Sequence, residues 1–405
     1  MMHMQVNVTA DCHRGSHGYE GAVLKLPATP YEIEDALQRA HVPEGGGYEL
    51  HRFEGFPSFL KNPLILSGQK SLEEMSLLAD VVGRMDEIEF YAYEGAIQLC
   101  QDEKGDVPVT TKELINLAFD LDNYEFHPGV TDDRRLGEVC IMGGMLDLVD
   151  GLPDETAELI DPVKAGEKLR EADHGAFTPN GYIYRSSTAS QEAYDGKHLP
   201  VFGEKHSGLL SLRIEKCDDM DADSGVWLEL PADESAMQWA LTSIGEPSFD
   251  SCRIAETKSI IPAFQYQLAG NEDIGELNTL AERLAAFPNS SIFMKYKAAL
   301  ELEQCSGLGM ALDIAANLDC YDYSPDIVSM DAFGEYVLQS AGIDTEDPAF
   351  KRFDFGRYGE RQLEKAGYVF TSYGAISRNG QEFVHEYTRQ AQEAESPRQG
   401  MSMGQ

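Results

Sequence analysis

The sequence predicts an α+β chain made of two homologous units, each with a small N-terminal β-sheet followed by mostly helical subdomains. Three observations lead there: an internal repeat, short alternating apolar strands at the start of each copy, and helical apolar stripes after them. The repeat is legible in three blocks. Gly21-Ala22-Val23-Leu24-Lys25-Leu26-Pro27-Ala28 returns as Gly225-Val226-Trp227-Leu228-Glu229-Leu230-Pro231-Ala232. Leu121-Asp122-Asn123-Tyr124-Glu125-Phe126-His127-Pro128 returns as Leu318-Asp319-Cys320-Tyr321-Asp322-Tyr323-Ser324-Pro325. Phe177-Thr178, Gly181 and Ile183 match Phe370-Thr371, Gly374 and Ile376. The blocks keep chain order while their offset shrinks, as small losses in surface loops would produce.

Each copy opens with alternating apolar residues, Val6 and Val8 in the first and Leu210, Leu212 and Ile214 in the second. A turn and a strand ending in Leu-Pro follow. A helix then starts at Thr29-Pro30 or near Asp233, residues suited to capping a first turn. The next helix carries Leu72, Met75, Leu78, Ala79 and Val82, or Ile274, Leu277, Leu280, Ala281 and Leu284, at spacings of three and four. Two or three more helices and a short strand around Phe177 or Phe370 complete the unit. The expected organisation is residues 1–186 as the first unit, 187–206 as a polar linker, 207–377 as the second unit and 378–405 as a polar helix or tail.

Charge is the outlier in composition. Seventy acidic residues face 32 basic ones, a net charge of −38. Such a surface repels nucleic acid and anionic membranes and attracts basic surfaces, most strongly at low salt. It is equivalent to the phosphates of about 19 base pairs, at two charges per pair. The acids fall in clusters in both copies. In the first they are Glu73 and Glu74 at a helix start, Asp86 and Glu87 after its end, Asp120, Asp122 and Glu125 around the Leu-Asp-Asn-Tyr block, and Asp132, Asp133 and Glu138 at the next helix. In the second they are Glu272, Asp273 and Glu276, then Asp313, Asp319, Asp322, Asp326, Asp331 and Glu335; Asp218, Asp219, Asp221 and Asp223 crowd its first turn. Any single cluster reads equally as a solvated face or a helix start, where carboxylates favour the positive end of the dipole. With few interleaved lysines, the sum reads as an extended negative surface for a DNA-binding partner. A salt-loving host is the alternative source of such acidity.

Catalytic signatures are missing. There is no phosphate-binding GxxxxGK[ST], no HExxH and no GxSxG. Cys12, His13 and His17 are ligand types in one polar turn, read as a loop rather than a metal site. The seven cysteines are scattered without a CxxC, which suits free thiols. The N-terminus lacks the blocks of a signal peptide, and no apolar run approaches bilayer length. The expectation is a soluble, cytoplasmic, non-catalytic binding protein with no cofactor and no metal.

Several of these segments resemble one family. Asp273-Ile274-Gly275-Glu276-Leu277-Asn278 with Leu280-Ala281 is similar to the mid-domain helix of the ArdA antirestriction proteins. Leu318-Asp319-Cys320-Tyr321-Asp322 and Gly334-Glu335-Tyr336 resemble the stretch after it. Phe353-Asp354-Phe355 with Tyr358-Gly359 is similar to the family's late Asp-Tyr…Tyr-Gly-Arg block, as Ile160-Asp161 and Ala165-Gly166 are more faintly. Glu167 and Glu360 stand where the family usually has arginine. The resemblance implies elongated, curved, acidic units that mimic bent B-form DNA, work as dimers and occupy the DNA groove of type I restriction–modification enzymes (their methyltransferase core). Two units in one chain then imply an intramolecular pseudo-dimer, monomeric or weakly self-associating, whose linker reaches roughly 25 Å as a flexible coil. Two alternatives stay open: mimicry aimed at a CRISPR effector or a nucleoid protein, and a mobile-element scaffold whose acidity only gives solubility.

Overall fold

A computed structural model describes residues 3–66, 70–143, 159–187, 192–202, 206–217, 225–261, 264, 268, 270 and 272–388. The first copy runs β1 (Met4–Ala10), β2 (Ala22–Leu26), α1 (Pro30–Arg39), β3 (Tyr48–Glu54), α2 (Ser58–Leu66), α3 (Leu72–Arg84), α4 (Glu87–Lys104), α5 (Thr111–Phe119), β4 (Tyr124–Pro128), α6 (Asp133–Met142), α7 (Pro162–Asp173), β5 (Ala176–Phe177) and β6 (Gly181–Arg185). The second runs β7 (Leu210–Lys216), β8 (Val226–Leu230), α8 (Glu234–Ile244), β9 (Cys252–Ser259), α9 (Ile274–Ala285), α10 (Ser290–Leu302), α11 (Leu308–Ala316), β10 (Tyr321–Ser324), α12 (Met330–Ser340), α13 (Phe355–Lys365), β11 (Val369–Thr371) and β12 (Gly374–Arg378). Apart from α2, the described element order is the same in both.

The class is α+β, with three-stranded sheets of order β2-β1-β3, β8-β7-β9, β4-β6-β5 and β10-β12-β11. The two late sheets share one register as well as one order. Phe126 faces Ile183 as Tyr323 faces Ile376, and Ala176 faces Ile183 as Val369 faces Ile376. Side-chain period along a strand is two, so a matched register puts equivalent residues on equivalent faces.

Local chemistry starts the helices, at Thr29 and Asp233 as the sequence expects. Thr29, Ser71, Asp86 and Thr110 each form a capping box with the glutamate three residues on. Asp233 and Asp273 accept from the amides of Ala236 and Glu276. The stripes Leu72, Met75, Leu78, Ala79, Val82 and Ile274, Leu277, Leu280, Ala281, Leu284 are buried throughout. Late in each copy two helices cross at glycines. A Cβ on Gly137 would lie 1.7 Å from the Pro162 carbonyl oxygen, and one on Gly334 would lie 2.1 Å from that of Phe355. Only a missing side chain permits that approach.

Compactness divides the chain differently from the repeat. One unit holds Met1–Val6, Lys25–Pro27 and Leu50–Glu204; the other holds Asn7–Leu24, Ala28–Glu49 and Lys205–Gln405. Helix α1, first-copy in sequence, therefore packs with the second half, where Tyr31 joins the core of Leu277, Leu280, Tyr296 and Ile376. Part of the expected linker packs within the first compact unit. Among residues 192–202, Tyr194 is 4% exposed, its amide and carbonyl are clamped by the Asn116 side chain at 2.8 and 2.9 Å, and its hydroxyl donates to Glu74 at 3.0 Å. Phe202 meets Phe119 edge-on at 5.6 Å. Two aromatics in a polar stretch make no periodic signal, yet each buries a large apolar area.

Residues 383–388 of the expected polar helix or tail pack on the second unit. Asn317 bonds both the amide and the carbonyl of Val384, and Phe383 packs against the core. Residues 389–405, the cluster Asp218, Asp219, Asp221 and Asp223, and part of the linker lie outside the described residues. No described helix is long and apolar enough to cross a membrane.

Candidate acidic interface

The helix starts that order the fold also carry much of the acid. Glu73 is exposed beside Glu74, which is partly covered by its capping bonds and by Tyr194. Asp86 caps α4 at the surface, and the exposed Glu87 accepts from Tyr91. Asp132 caps α6, Asp133 is ion-paired to Arg170 at 2.8 Å, and Glu138 stands free of the crossing on the exposed side. In the second copy Glu272 accepts from the Gly270 amide, while Asp273 caps α9. Partial desolvation and the neighbouring Asp273 charge raise the Glu276 carboxyl above its usual range.

Around the edge strands the two copies agree. Asp122 and Asp319 occupy equivalent exposed positions before β4 and β10, and Glu125 and Asp322 occupy equivalent exposed positions within them. Glu125 accepts from the Tyr184 hydroxyl at 2.6 Å, and Asp322 meets the Asn379 amide at 3.4 Å. Asp326 is exposed near His13 and His41; burial pulls the His41 imidazole down to about 4, so it is neutral at physiological pH. Asp331 is partly covered, close to Gly18 and Gly356. Glu335 is also partly covered: the Thr345 hydroxyl donates to it at 3.0 Å and His17 lies 3.9 Å away.

Two of the expected surface acids are inside. Asp120 is 8% exposed and accepts from Asn123 at 2.5 Å and Arg185 at 3.3 Å, closing the turn after α5. Asp313 is 1% exposed and accepts from the amides of Glu386, Tyr387 and Thr388 at 2.9, 2.9 and 3.1 Å, and from the Thr388 hydroxyl. The reason was available in part. Asp313 is the one charge in the otherwise apolar helix Leu308–Ala316, and a helix apolar all round is buried. Although burial pushes its carboxyl up, the bonds from Thr388 and the three amides win and hold it below the usual range.

Asp313→Ala should therefore free the 386–388 segment and cost about 2–3 kcal/mol, since several bonds to one charged acceptor are lost together. Urea unfolding and amide exchange at 386–388 read it. The folded pKa is depressed, so the native contribution is present above the unfolded value of about 4 and lost as pH falls through the folded one. Unchanged exchange in the variant would refute this role.

Sequence reading missed the most buried charges. Lys297 is 1% exposed on α10 and donates to Asp35 at 2.5 Å and to the Gln38 side-chain oxygen at 2.9 Å. Asp35, fully buried on α1, also accepts from Tyr373 at 2.8 Å and Arg39 at 2.7 Å. Burial pulls the Lys297 ammonium down, against the opposing pull of Asp35. A single lysine between Tyr296 and Ala298 was the available signal, but its partner is 262 residues away.

Beside this cluster is a cleft of about 470 Å³, lined in part by Tyr31, Glu34, Leu284, Phe293 and Glu229. Glu229 is already committed to the amides of Ser207 and Gly208 and the Ser211 hydroxyl. Among the described residues no group of three or more His, Cys, Asp or Glu could hold a metal ion. His13 packs on Tyr19, whereas His17 lies against Phe355. All seven cysteines are free thiols.

No protein-family model matches the chain, and a search of the curated proteins finds no match to it.

Proposed function

We propose that this chain is a non-catalytic binding protein that imitates the charge of duplex DNA and blocks a basic DNA-binding groove, that of a type I restriction–modification enzyme in particular. The observation that carries the reading is repetition: both copies present carboxylates at the same exposed positions about the same edge strand, Asp122 and Glu125 in one and Asp319 and Asp322 in the other. Capping explains acids at helix starts, but it does not explain these. Acids on an edge also discourage strand addition, a bonus rather than a rival. A DNA-binding groove meeting this surface would release counterions as it does on phosphate, so binding should fall steeply with salt. The choice of target rests on the sequence resemblance to the ArdA proteins, and the cytoplasm is where such a target works and where free thiols stay reduced.

The test is displacement of a labelled duplex from a type I methyltransferase core, followed by anisotropy while salt is raised. Displacement at low salt that fades with salt is the expected result. Changing Asp319, Asp322 and Asp326 together to Asn should weaken competition roughly tenfold, at about 0.5 kcal/mol per exposed charge, with the melting curve unchanged. If one substitution alone abolished inhibition, a specific site would replace field mimicry. If nothing were displaced at any salt, the scaffold reading would stand instead.

A further inference from the structure

The cleft of about 470 Å³ lies wholly within the second compact unit. Helix α1 supplies Tyr31 and Glu34, which share one side of the helix because they are three residues apart. Helix α10 supplies Phe293, and Ile260 and Leu284 add aliphatic wall. The volume is that of small-molecule sites, about 300–1,000 Å³.

The lining residues select the guest by its charge. Among those described, none is Lys, Arg or His, and two are acids, Glu34 and Glu229. The lining amides of Ser207 and Gly208 and the Ser211 hydroxyl all converge on one Glu229 oxygen, and the His206 imidazole meets the other at 3.2 Å. An anionic guest would therefore meet two carboxylates, with no basic side chain and with those two amides already spent. Ile260 and Leu284 are 2% and 1% exposed, and a guest that is polar throughout would leave this apolar wall without a partner.

Glu34 is exposed, and the buried charge cluster orients it. Lys297 takes the Gln38 side-chain oxygen at 2.9 Å, which turns the Gln38 amide nitrogen to Glu34, where it donates to Oε1 at 3.2 Å. Among the described residues nothing else bonds Glu34, so its Oε2 is unspent. The rings of Tyr31 and Phe293 add a second attraction, since a cation is drawn to an aromatic face. Phe293 already shows it, with the Lys297 ammonium 5.5 Å from its centroid. That ammonium is balanced by Asp35 and leaves the charge of Glu34 uncancelled.

We propose that this cleft binds a small organic cation: an ammonium or guanidinium group beside Glu34 and the rings of Tyr31 and Phe293, on an apolar stem that lies along Leu284 and Ile260. The carboxylate and the rings recognise the charge, and the aliphatic wall recognises the stem. A metal ion lacks the stem, and a neutral alkyl chain lacks the charge. The stem also separates this site from the rest of a chain of net charge −38, which gathers any cation diffusely. A free amine and the lysine or arginine side chain of a protein carry the same chemistry. The site stands on its own walls and does not depend on DNA mimicry.

Methyl NMR of the full chain, titrated with hexylamine at physiological salt and neutral pH, tests it. The Ile260 and Leu284 methyls should shift and saturate at millimolar amine. The Ile88 methyls, exposed between Glu87 and Glu89 at the start of α4, should stay in place. Hexanol, with the same stem and no charge, should bind about tenfold more weakly. E34Q keeps the size of the side chain and removes its charge, so it should weaken hexylamine about fivefold. Its circular dichroism melt should not change, because Glu34 is exposed. Acetyl-arginine amide binding more tightly than hexylamine assigns the cleft to a protein side chain, and the reverse order assigns it to a free amine; either supports a cation site. Ile88 shifts as large as those of Ile260, hexanol binding as well as hexylamine, or indifference to E34Q overturns the proposal. None of these results bears on displacement of a duplex from a DNA-binding enzyme.

Discussion

Replacing Asp35 by Ala should cost the second unit about 3–5 kcal/mol, the usual loss when one member of a buried ion pair is removed. The size comes from what is left behind. Lys297 would keep only the Gln38 side-chain oxygen as an acceptor, in a site where it is 1% exposed. The reverse change, K297M, should cost less, about 1–2 kcal/mol, because Asp35 keeps Arg39 and Tyr373 as donors at 2.7 and 2.8 Å. Removing both, as D35L/K297M, should return stability to within about 1 kcal/mol of the parent, since a well-packed apolar pair replaces buried charges at little loss. Urea unfolding of the four proteins forms the cycle.

Alkaline pH gives a second readout of the same cluster. In D35A the main opponent is gone, and only the smaller pull of Glu34 still opposes the desolvation that already pulls Lys297 down. Its folded pKa then falls further below the unfolded value of about 10.4, and the unfolded chain binds the proton that the folded one does not. Stability must rise with pH across that window, so the D35A deficit should narrow between neutral pH and about pH 10. Equal costs for D35A and K297M, or a deficit that does not move with pH, would contradict this account.

The other large effect is steric. Gly137→Ala and Gly334→Ala should each cost about 2–3 kcal/mol, because the new methyl meets a backbone carbonyl that cannot rotate away. Both glycines are helical and neither has a positive φ, so alanine would otherwise favour the helix by about 1 kcal/mol. Partner glycines repeat the demand: Cβ atoms on Gly166 and Gly359 would lie 1.9 and 2.2 Å from the carbonyl oxygens of Asp133 and Met330. Gly83 is the control. It lies in α3, where an added methyl would meet nothing within 4 Å, so Gly83→Ala should stabilise by about 0.5–1 kcal/mol. Hydrogen exchange separates the effects by region: G137A should loosen α6 and α7, and G334A should loosen α12 and α13. A loss of under about 0.5 kcal/mol at either crossing would mean the helices can part freely.

Everything that depends on neighbours along the chain was legible in the residues. Thr29, Asp233 and Asp273 start helices because a side-chain oxygen reaches an amide two or three residues on. The stripes from Leu72 to Val82 and from Ile274 to Leu284 face inward because apolar side chains at that spacing share one side of a helix. The repeat blocks put a short strand late in each copy, around Phe177 and Phe370; that each joins a three-stranded sheet of the same register came from the structure. The exposed acids Asp122, Glu125, Asp319 and Asp322 stand out in the sequence as candidates, but exposure itself is not written there: Asp120 and Asp313 carry the same signal and are buried.

What the tertiary structure alone decided is which outward faces find partners. The grouping of α1 with the second half, the seating of Tyr194 on Asn116 and Glu74, and the docking of residues 383–388 on α11 are all of this kind. Each depends on complementarity between segments far apart in the chain, as Lys297 and Asp35 are, and periodicity carries no information about that distance. Caps and stripes repeat in both copies because their causes are local. The Asp35–Lys297 pair has no local cause: it joins helices from different copies inside one compact unit, and only packing decided it.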